Sequence, residues 1–296
     1  MVSPSTIHGK LVTYFPDLFY SEPFEPWLSM GEFVDSVRWI GYVSLLIVVT
    51  LTILGFLTER KSLTSLGAGA FLLPVFASFC YSMFFLTGLG ILRILWLPLL
   101  EANPLLLRLG DSVLIPVLPI YIILAGSGPR LIWISITLVG LGIFLFGIVT
   151  WLYGNMEGET IIDFWAYRYS RHPQYLGFLV TSYGILMRST ETGIYFRDTL
   201  TFPSLPWMVS SLLVIFIALV EELEMQKEHG EDYREYWKRT PFMISLPDFV
   251  SRAISILNRL IIGAEFPRNK REVVHILAVY FVTLCLASVP IILVFS

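Results

Sequence analysis

Charged residues are scarce in this chain of 296 residues, where they make up 15% against about 25% in a typical soluble protein. Hydrophobic residues make up 55%, so the composition excludes an ordinary soluble domain and predicts a protein embedded in a membrane. The net charge is only -3, and no stripe of basic residues runs through the chain. We therefore expect no nucleic-acid partner.

Cysteine is also rare. The two cysteines, Cys80 and Cys285, each lie inside an apolar run, which excludes a disulfide framework and offers no spacing of metal ligands. We expect buried thiols and no metal site. The N-terminus lacks the basic and apolar regions of a secretory signal. Residues 1–35 are instead acidic and rich in proline and aromatic residues, and we expect them to form a surface arm.

Long apolar runs are what the chain has in abundance. Because a bilayer crossing takes about 20 apolar residues, the predicted spans are residues 39–57, 66–97, 131–153, 175–187, 206–220 and 273–295. Residues 66–97 exceed one span, so we expect tilting, a kink near Pro74 or a continuation along the interface. Residues 113–125 contain Pro116 and Pro119 and predict a broken or re-entrant span. The fold class is therefore all-α, a polytopic helical membrane protein.

A polar segment at residues 167–177, the polar island, interrupts the apolar runs. Arg171 and His172 stand directly before Pro173, and proline favours the first turn of a helix. Cations at the positive end of a helix are unfavourable unless an anionic ligand or carboxylates meet them there. The island therefore predicts a site at the start of a helix.

A pair of carboxylates can return to this island. One predicted span leaves the polar layer after the island and the next one returns to it, ending at Glu221 and Glu222. We expect these two residues to lie beside Arg171 and His172, with a pocket between the two charged pairs. Neighbouring side chains on a helix point about 100° apart, so only one of the two glutamates should face a bound ligand directly.

The segment after the carboxylates is strongly charged. It is expected to break at Gly230 and to stop at Pro241. Its aromatic residues and one threonine share one face of a short helix, because they recur at helical spacing: Tyr233, Tyr236, Trp237 and Thr240. Residues 249–262 are amphipathic and predict a helix lying in the membrane interface. Basic residues concentrate in residues 227–271, so the positive-inside rule predicts that this segment and the island face the cytoplasm.

The order of these motifs resembles the membrane-embedded methyltransferases, which include isoprenylcysteine carboxyl methyltransferase and the phospholipid N-methyltransferases. The matching residues are Arg171-His172-Pro173-Gln174-Tyr175-Leu176-Gly177, Glu221-Glu222, Gly230, Tyr233, Tyr236 and Pro241. The resemblance covers residue 131 to about residue 247. It implies a methyltransferase core at residues 127–247, preceded by an arm and extra spans at 1–126 and followed by an interfacial helix and a last span at 248–296.

The resemblance implies S-adenosylmethionine as the cofactor, bound in a pocket on the cytoplasmic face. The implied cofactor-binding residues are Arg171, His172, Tyr175, Gly177, Glu221 and Glu222, and a G-x-G pair in the preceding span adds Gly140 and Gly142. Arg171 and Glu222 are the implied catalytic residues. The acceptor would be a lipophilic molecule taken from the bilayer. It could be a carboxylate, which needs no general base, or an amine, for which His172 or a glutamate would take the proton.

Other functions share part of this pattern. Membrane sterol reductases, which bind NADPH, have a similar R-H-x-N-Y-x-G island, whereas this chain has Gln174-Tyr175. A transporter or scaffold with an ion site is a third alternative, but transporters place buried charges in the middle of a span, whereas these charges stand at span ends. The sequence leaves open the acceptor, the oligomeric state and the membrane, which would be the cell membrane in a prokaryote or the endoplasmic reticulum in a eukaryote.

Overall fold

The structure, a computed structural model, describes residues 30–58, 60–81, 87–123, 130–192, 194–196 and 199–295. Most of the predicted N-terminal arm lies outside these residues, and so does the boundary drawn at residue 126. Within them the regular elements are helices apart from one two-stranded hairpin. The all-α prediction is confirmed.

The regular elements follow one another along the chain with short connections. The α-helices are α1 (Met30–Leu57), α2 (Lys61–Tyr81), α3 (Leu97–Ala102), α4 (Leu118–Ile123), α5 (Arg130–Glu157), α6 (Pro173–Thr192), α7 (Ser204–Arg239), α8 (Asp248–Ile262) and α9 (Lys270–Phe295). The 3-10 helices are Thr87–Trp96, Pro104–Arg108, Asp111–Val117 and Trp165–Arg168. The strands are β1 (Ile194–Phe196) and β2 (Thr199–Thr201), which pair antiparallel.

Among the described residues, four helices are long and apolar enough to cross a membrane: α1, α5, α7 and α9. They coincide with four of the predicted spans. The span predicted at residues 175–187 lies in α6, which is not among the four. Serine, threonine and charged residues fill the last part of α6. Most of its side chains are buried or half-buried, so α6 exposes less of its surface than α5 or α9 does.

Two predicted spans take other forms in the structure. Within residues 66–97 the described residues form α2, which contains Pro74, the 3-10 helix Thr87–Trp96 and the start of α3. Residues 113–123 begin in the 3-10 helix Asp111–Val117 and run directly into α4, so the described part of the run predicted to be broken or re-entrant is a short continuous helix of mixed type. Beyond the span predicted at residues 175–187, α6 continues to Thr192, and the hairpin of β1 and β2 follows it.

The contacts divide the chain into two compact units. The first comprises Met1–Arg130, Ile185–Ser210 and Leu284–Ser296, and the second comprises Leu131–Gly184 and Ser211–Thr283. The polar island and the two glutamates all belong to the second unit. It also contains α8 and most of α9.

The first unit contains a charged pair sealed from solvent. Arg108 Nε donates to Asp111 Oδ2 at 2.8 Å, and each side chain is 1% exposed. Ser204 donates its hydroxyl to the other carboxylate oxygen at 2.6 Å. Both oxygens of Asp111 therefore have partners. The pair fastens the 3-10 helix Asp111–Val117 to the start of α7.

We predict that Asp111→Asn destabilises the protein by about 3–5 kcal/mol, because it leaves the Arg108 charge buried without a counter-charge. Chemical unfolding in detergent micelles measures the loss. The matched control is Asp35→Asn, since Asp35 and Arg38 form an Asp–Arg pair of the same sequence spacing that is exposed to solvent. The control should unfold like the parent protein, and equal effects of the two substitutions would contradict the role given to burial.

Candidate functional site

A row of glycines brings α5 and α6 together. A Cβ at Gly140 would lie 2.7 Å from Thr181 Oγ1, and a Cβ at Gly147 would lie 3.0 Å from the backbone nitrogen of Gln174. On the facing helix, a Cβ at Gly177 would collide with the backbone of Phe144. The two backbones can approach this closely only where no side chain intervenes. This contact fixes the start of α6 against the middle of α5.

The polar island occupies the start of α6. The helix begins at Pro173, as predicted. The backbone N–H of Arg171 donates to the carbonyl of Pro241 at 3.0 Å, so the segment that follows α7 holds the island in place. The backbone N–H of His172 donates to Ser170 Oγ at 3.2 Å. Arg171 and His172 are both buried.

One carboxylate, that of Glu222 on α7, collects three donors. Arg171 Nη1 donates to Oε2. His172 Nε2 lies 2.9 Å from Oε1, and the Tyr233 hydroxyl donates to the same oxygen at 3.0 Å. Because a carboxylate only accepts hydrogen bonds, the contact with His172 places a ring proton on Nε2. All four side chains are buried. We call these four residues the Glu222 cluster.

The neighbouring Glu221 has a different environment. Its side chain is 31% exposed. Its carboxylate accepts the Tyr175 hydroxyl at 2.8 Å and lies 3.9 Å from His172 Nδ1. Burial raises the pKa of Tyr167, and the charge of Glu221 raises it further, so this phenol stays neutral. Glu221 is thus the carboxylate of the pair that solvent or a ligand can reach.

Aromatic rings enclose the Glu222 cluster. The Arg171 guanidinium lies 5.1 Å from the Trp237 ring centroid and 5.8 Å from that of Phe242. Phe242 meets the His172 ring edge-on at 5.1 Å, and Tyr175 stacks on His172 at 5.6 Å. Rings around a buried cation contribute cation–π attraction and exclude water. They keep the charged network in an environment of low dielectric constant.

The predicted meeting of the basic and acidic pairs is confirmed by these contacts. The pocket expected between the pairs is not there, because the side chains touch directly. The charged groups come together through α6, through α7 and through the chain that follows the break in α7 at Gly230, whose φ is 52° and ψ -120°. The predicted face after this break is also confirmed, since Tyr233, Tyr236 and Thr240 are buried.

A groove beside the Glu222 cluster provides apolar space. It measures about 360 Å³, and the polar side chains among the described residues that line it are one tyrosine and two serines. Ser170, which accepts the backbone N–H of His172, is one of the lining residues. The others are Ile143, Phe146, Ala166, Tyr169, Pro173, Leu176, Met243, Ile244 and Ser245. The groove thus combines an apolar wall from α5 with a floor at the polar island.

The glycines predicted to bind the cofactor lie elsewhere. Gly140 packs against Thr181, which is nine residues beyond His172 and so about 13 Å along α6. Gly142 is exposed and faces no other side chain within 4 Å. The space at Gly177 is filled by the backbone of Phe144. Two of these glycines therefore pack helices together, and none of them meets the Glu222 cluster.

Two contributions to the site escaped the sequence reasoning. Phe242 follows the predicted stop at Pro241 and packs on both Arg171 and His172. Ser170 holds the backbone of His172. The position of Ser170 two residues before His172 is the signal that could have revealed it, since serine commonly bonds the backbone N–H two residues on. No comparable pattern marks Phe242.

Comparison with known proteins adds one family. Residues 112–240 match the sequence model of a family described as Protein of unknown function (DUF1295). The matched segment contains the island, the two glutamates and Tyr233. None of the curated proteins compared with the chain matches it, and no solved structure does.

We predict that Gly177→Ala destabilises the protein by about 1–3 kcal/mol, because the added methyl group forces α5 and α6 apart. Thermal unfolding in detergent measures the effect. Gly142→Ala is the matched control, since it adds the same methyl group where nothing lies within 4 Å. The control should leave the unfolding temperature unchanged or raise it. A loss of stability in the control equal to that at Gly177 would contradict the packing role.

Proposed function

We propose that the protein is a membrane methyltransferase that uses S-adenosylmethionine and acts on a lipophilic acceptor from the bilayer. The observation that carries the proposal is the contact of Glu222 with both Arg171 and His172, which unites the two motifs of the resemblance in one site. The proposed site faces the cytoplasm, since the basic residues of 227–271 lie in the same part of the chain.

The charges and donors of the site fit this cofactor. Arg171 and Glu222 neutralise each other, so Glu221 leaves a net charge of about -1 when His172 is neutral. S-adenosylmethionine has a sulfonium, an ammonium and a carboxylate and is therefore cationic overall. Arg171 Nε is buried and has no hydrogen-bond partner among the described residues. An N–H of this kind suits the carboxylate of the cofactor.

Each glutamate has a separate role in this proposal. Glu221, which is partly exposed, holds the cationic end or a ribose hydroxyl of the cofactor. Glu222 is buried and already accepts three donors, and it acts as a positioning residue that orients Arg171 and His172. The catalytic role that the resemblance implies for Glu222 is therefore indirect in this proposal. When bound, S-adenosylmethionine supplies an electrophilic methyl group, and the enclosing rings exclude water that would compete for it.

The acceptor would enter along the apolar groove. The described residues that line it include no charged side chain, so the part of the acceptor that fills it is a neutral hydrocarbon chain. Alignment of the acceptor atom with the methyl group is the main requirement of an in-line displacement. An acceptor carboxylate would need no base. An acceptor amine would need one, and His172 Nδ1, which faces Glu221 at 3.9 Å, is the group for that proton.

Reduction with NADPH is less well supported by the same charges. The phosphates of NADPH carry several negative charges, and sites for them are usually rich in arginine or helix N–H groups. Here the buried arginine is already neutralised by Glu222, and Glu221 would repel a phosphate. Electrostatics therefore favours a cationic cofactor over NADPH.

We predict that the purified protein binds S-adenosylhomocysteine in isothermal titration and that Glu221→Gln weakens binding by at least about tenfold, or 1.4 kcal/mol. Glu221 is a better position for this test than Glu222, because Glu221 is partly exposed and its substitution should not disturb the fold. Glu228→Gln is the matched control, since Glu228 lies on the same helix and is exposed. Absence of binding in folded parent protein would refute the methyltransferase proposal.

We also predict that S-adenosylmethionine raises the unfolding temperature and that NADPH does not, because a ligand that binds only the folded state stabilises it. A thermal-shift assay with each cofactor at the same concentration measures this difference. The Glu221→Gln variant should lose the shift caused by S-adenosylmethionine. A shift with NADPH alone would replace the proposed activity with a reductase.

A further inference from the structure

The helix α8 turns an apolar surface outward. Phe249, Ile256 and Leu260 are 75%, 57% and 77% exposed. At about 100° per residue, these three side chains fall within an arc of about 40° on the helix. Ala253 and Leu257 extend the arc and are exposed as well. Large apolar side chains gathered on one exposed face mark a surface that binds something apolar.

The rotation of α8 about its own axis is fixed by its opposite face. Asn258 is buried there. Its amide NH2 donates to the carbonyl of Glu265 at 2.9 Å, and its amide oxygen accepts the Tyr280 hydroxyl at 2.8 Å. The outward direction of the apolar arc is therefore set by polar contacts with the chain that follows α8 and with α9.

Exposed arginines border the apolar arc on one side. Arg252 and Arg259 lie about 40–60° from Ile256 around the helix and are exposed. Arg259 forms an ion pair with Glu265, whereas Arg252 forms none with the residues that the structure describes. Between Lys238 and Arg271 the chain has seven basic and two acidic residues. The surroundings of the arc therefore attract anionic headgroups, each basic residue contributing about 1 kcal/mol near such a surface.

We propose that α8 docks on a lipid leaflet with anionic headgroups, its apolar arc in the acyl region and Arg252 at the phosphates. Both ends of α8 are tied close to a bilayer face, because α7 and α9 are long and apolar enough to cross a membrane. Only the residues between Arg239 and Asp248 and between Ile262 and Lys270 separate α8 from them. A second protein would not need the border of arginines, whereas an interfacial helix typically has one.

The docked helix also supports the Glu222 cluster. Phe266, which follows α8, meets the Trp237 ring edge-on at 4.8 Å. Trp237 in turn lies over Arg171. Docking of α8 thus holds one wall of the site, and this conclusion does not depend on which reaction the site performs.

Site-directed spin labelling of the full chain in lipid nanodiscs tests the proposal. Labels are placed at Leu260→Cys and, as the matched control on the other side of α8, at Ser251→Cys, in a Cys80→Ala, Cys285→Ala background. With phosphatidylglycerol in the nanodisc, oxygen should relax the label at 260 and a water-soluble nickel complex should relax the label at 251. Access of nickel to both labels would overturn the proposal, and so would protection of residue 260 from both reagents, which would indicate a covering protein.

The charge of the leaflet gives a second arm. Arg252→Gln should reduce the access of oxygen to the label at 260 in phosphatidylglycerol nanodiscs, and phosphatidylcholine nanodiscs should reduce it in the parent protein as well. Arg234→Gln is the matched control, because Arg234 is exposed on α7 and pairs with Glu231. If the access of oxygen to the label at 260 depends neither on lipid charge nor on Arg252, the choice of anionic headgroups is overturned.

Discussion

The buried carboxylate of Glu222 is the constraint on which the site depends. Taking a carboxylate and a guanidinium out of water costs several kcal/mol per ion, which their mutual attraction offsets only when the remaining polar atoms are also satisfied. His172 and Tyr233 supply those contacts for Glu222. The island, α7 and the chain beyond Gly230 must therefore hold fixed relative positions. Loss of any one donor leaves charge in a space that water does not reach.

The backbone around this carboxylate has two features that make the arrangement possible. The glycine contacts between α5 and α6 allow the start of α6 to lie deep against its neighbour. The break at Gly230, with its positive φ, lets the chain turn so that Tyr233 returns to Glu222 eleven residues away. An unbroken α7 would carry Tyr233 about 16 Å along the axis from Glu222. Residues with a Cβ rarely adopt such a positive φ, which glycine adopts readily.

Much of this arrangement could be predicted from the sequence, because helix starts and spans have signals in the neighbouring residues. Pro173 and the apolar periods marked helix starts and spans, and a hairpin of two helices necessarily returns Glu222 to the level of His172. Contacts between distant residues with no periodic signature were not readable. The Ser204 hydroxyl reaches Asp111 from 93 residues away, and Gly177 could be assigned equally to a ligand or to a helix. The backbone of Phe144 fills the space beside Gly177, so Gly177 packs against a helix.

The two adjacent glutamates have different electrostatic environments, because neighbouring side chains on a helix point in different directions. Glu222 faces the start of α6, where its charge offsets both Arg171 and the positive end of the helix dipole. Glu221 accepts the Tyr175 hydroxyl and remains partly exposed, and its nearest basic group is His172 Nδ1 at 3.9 Å. A ligand that approaches the site can therefore reach this carboxylate, whereas Glu222 is buried against Arg171. The proposed preference for a cationic ligand therefore rests on the sign of that charge more than on the shape of the groove, since apolar walls accept hydrocarbon of almost any origin.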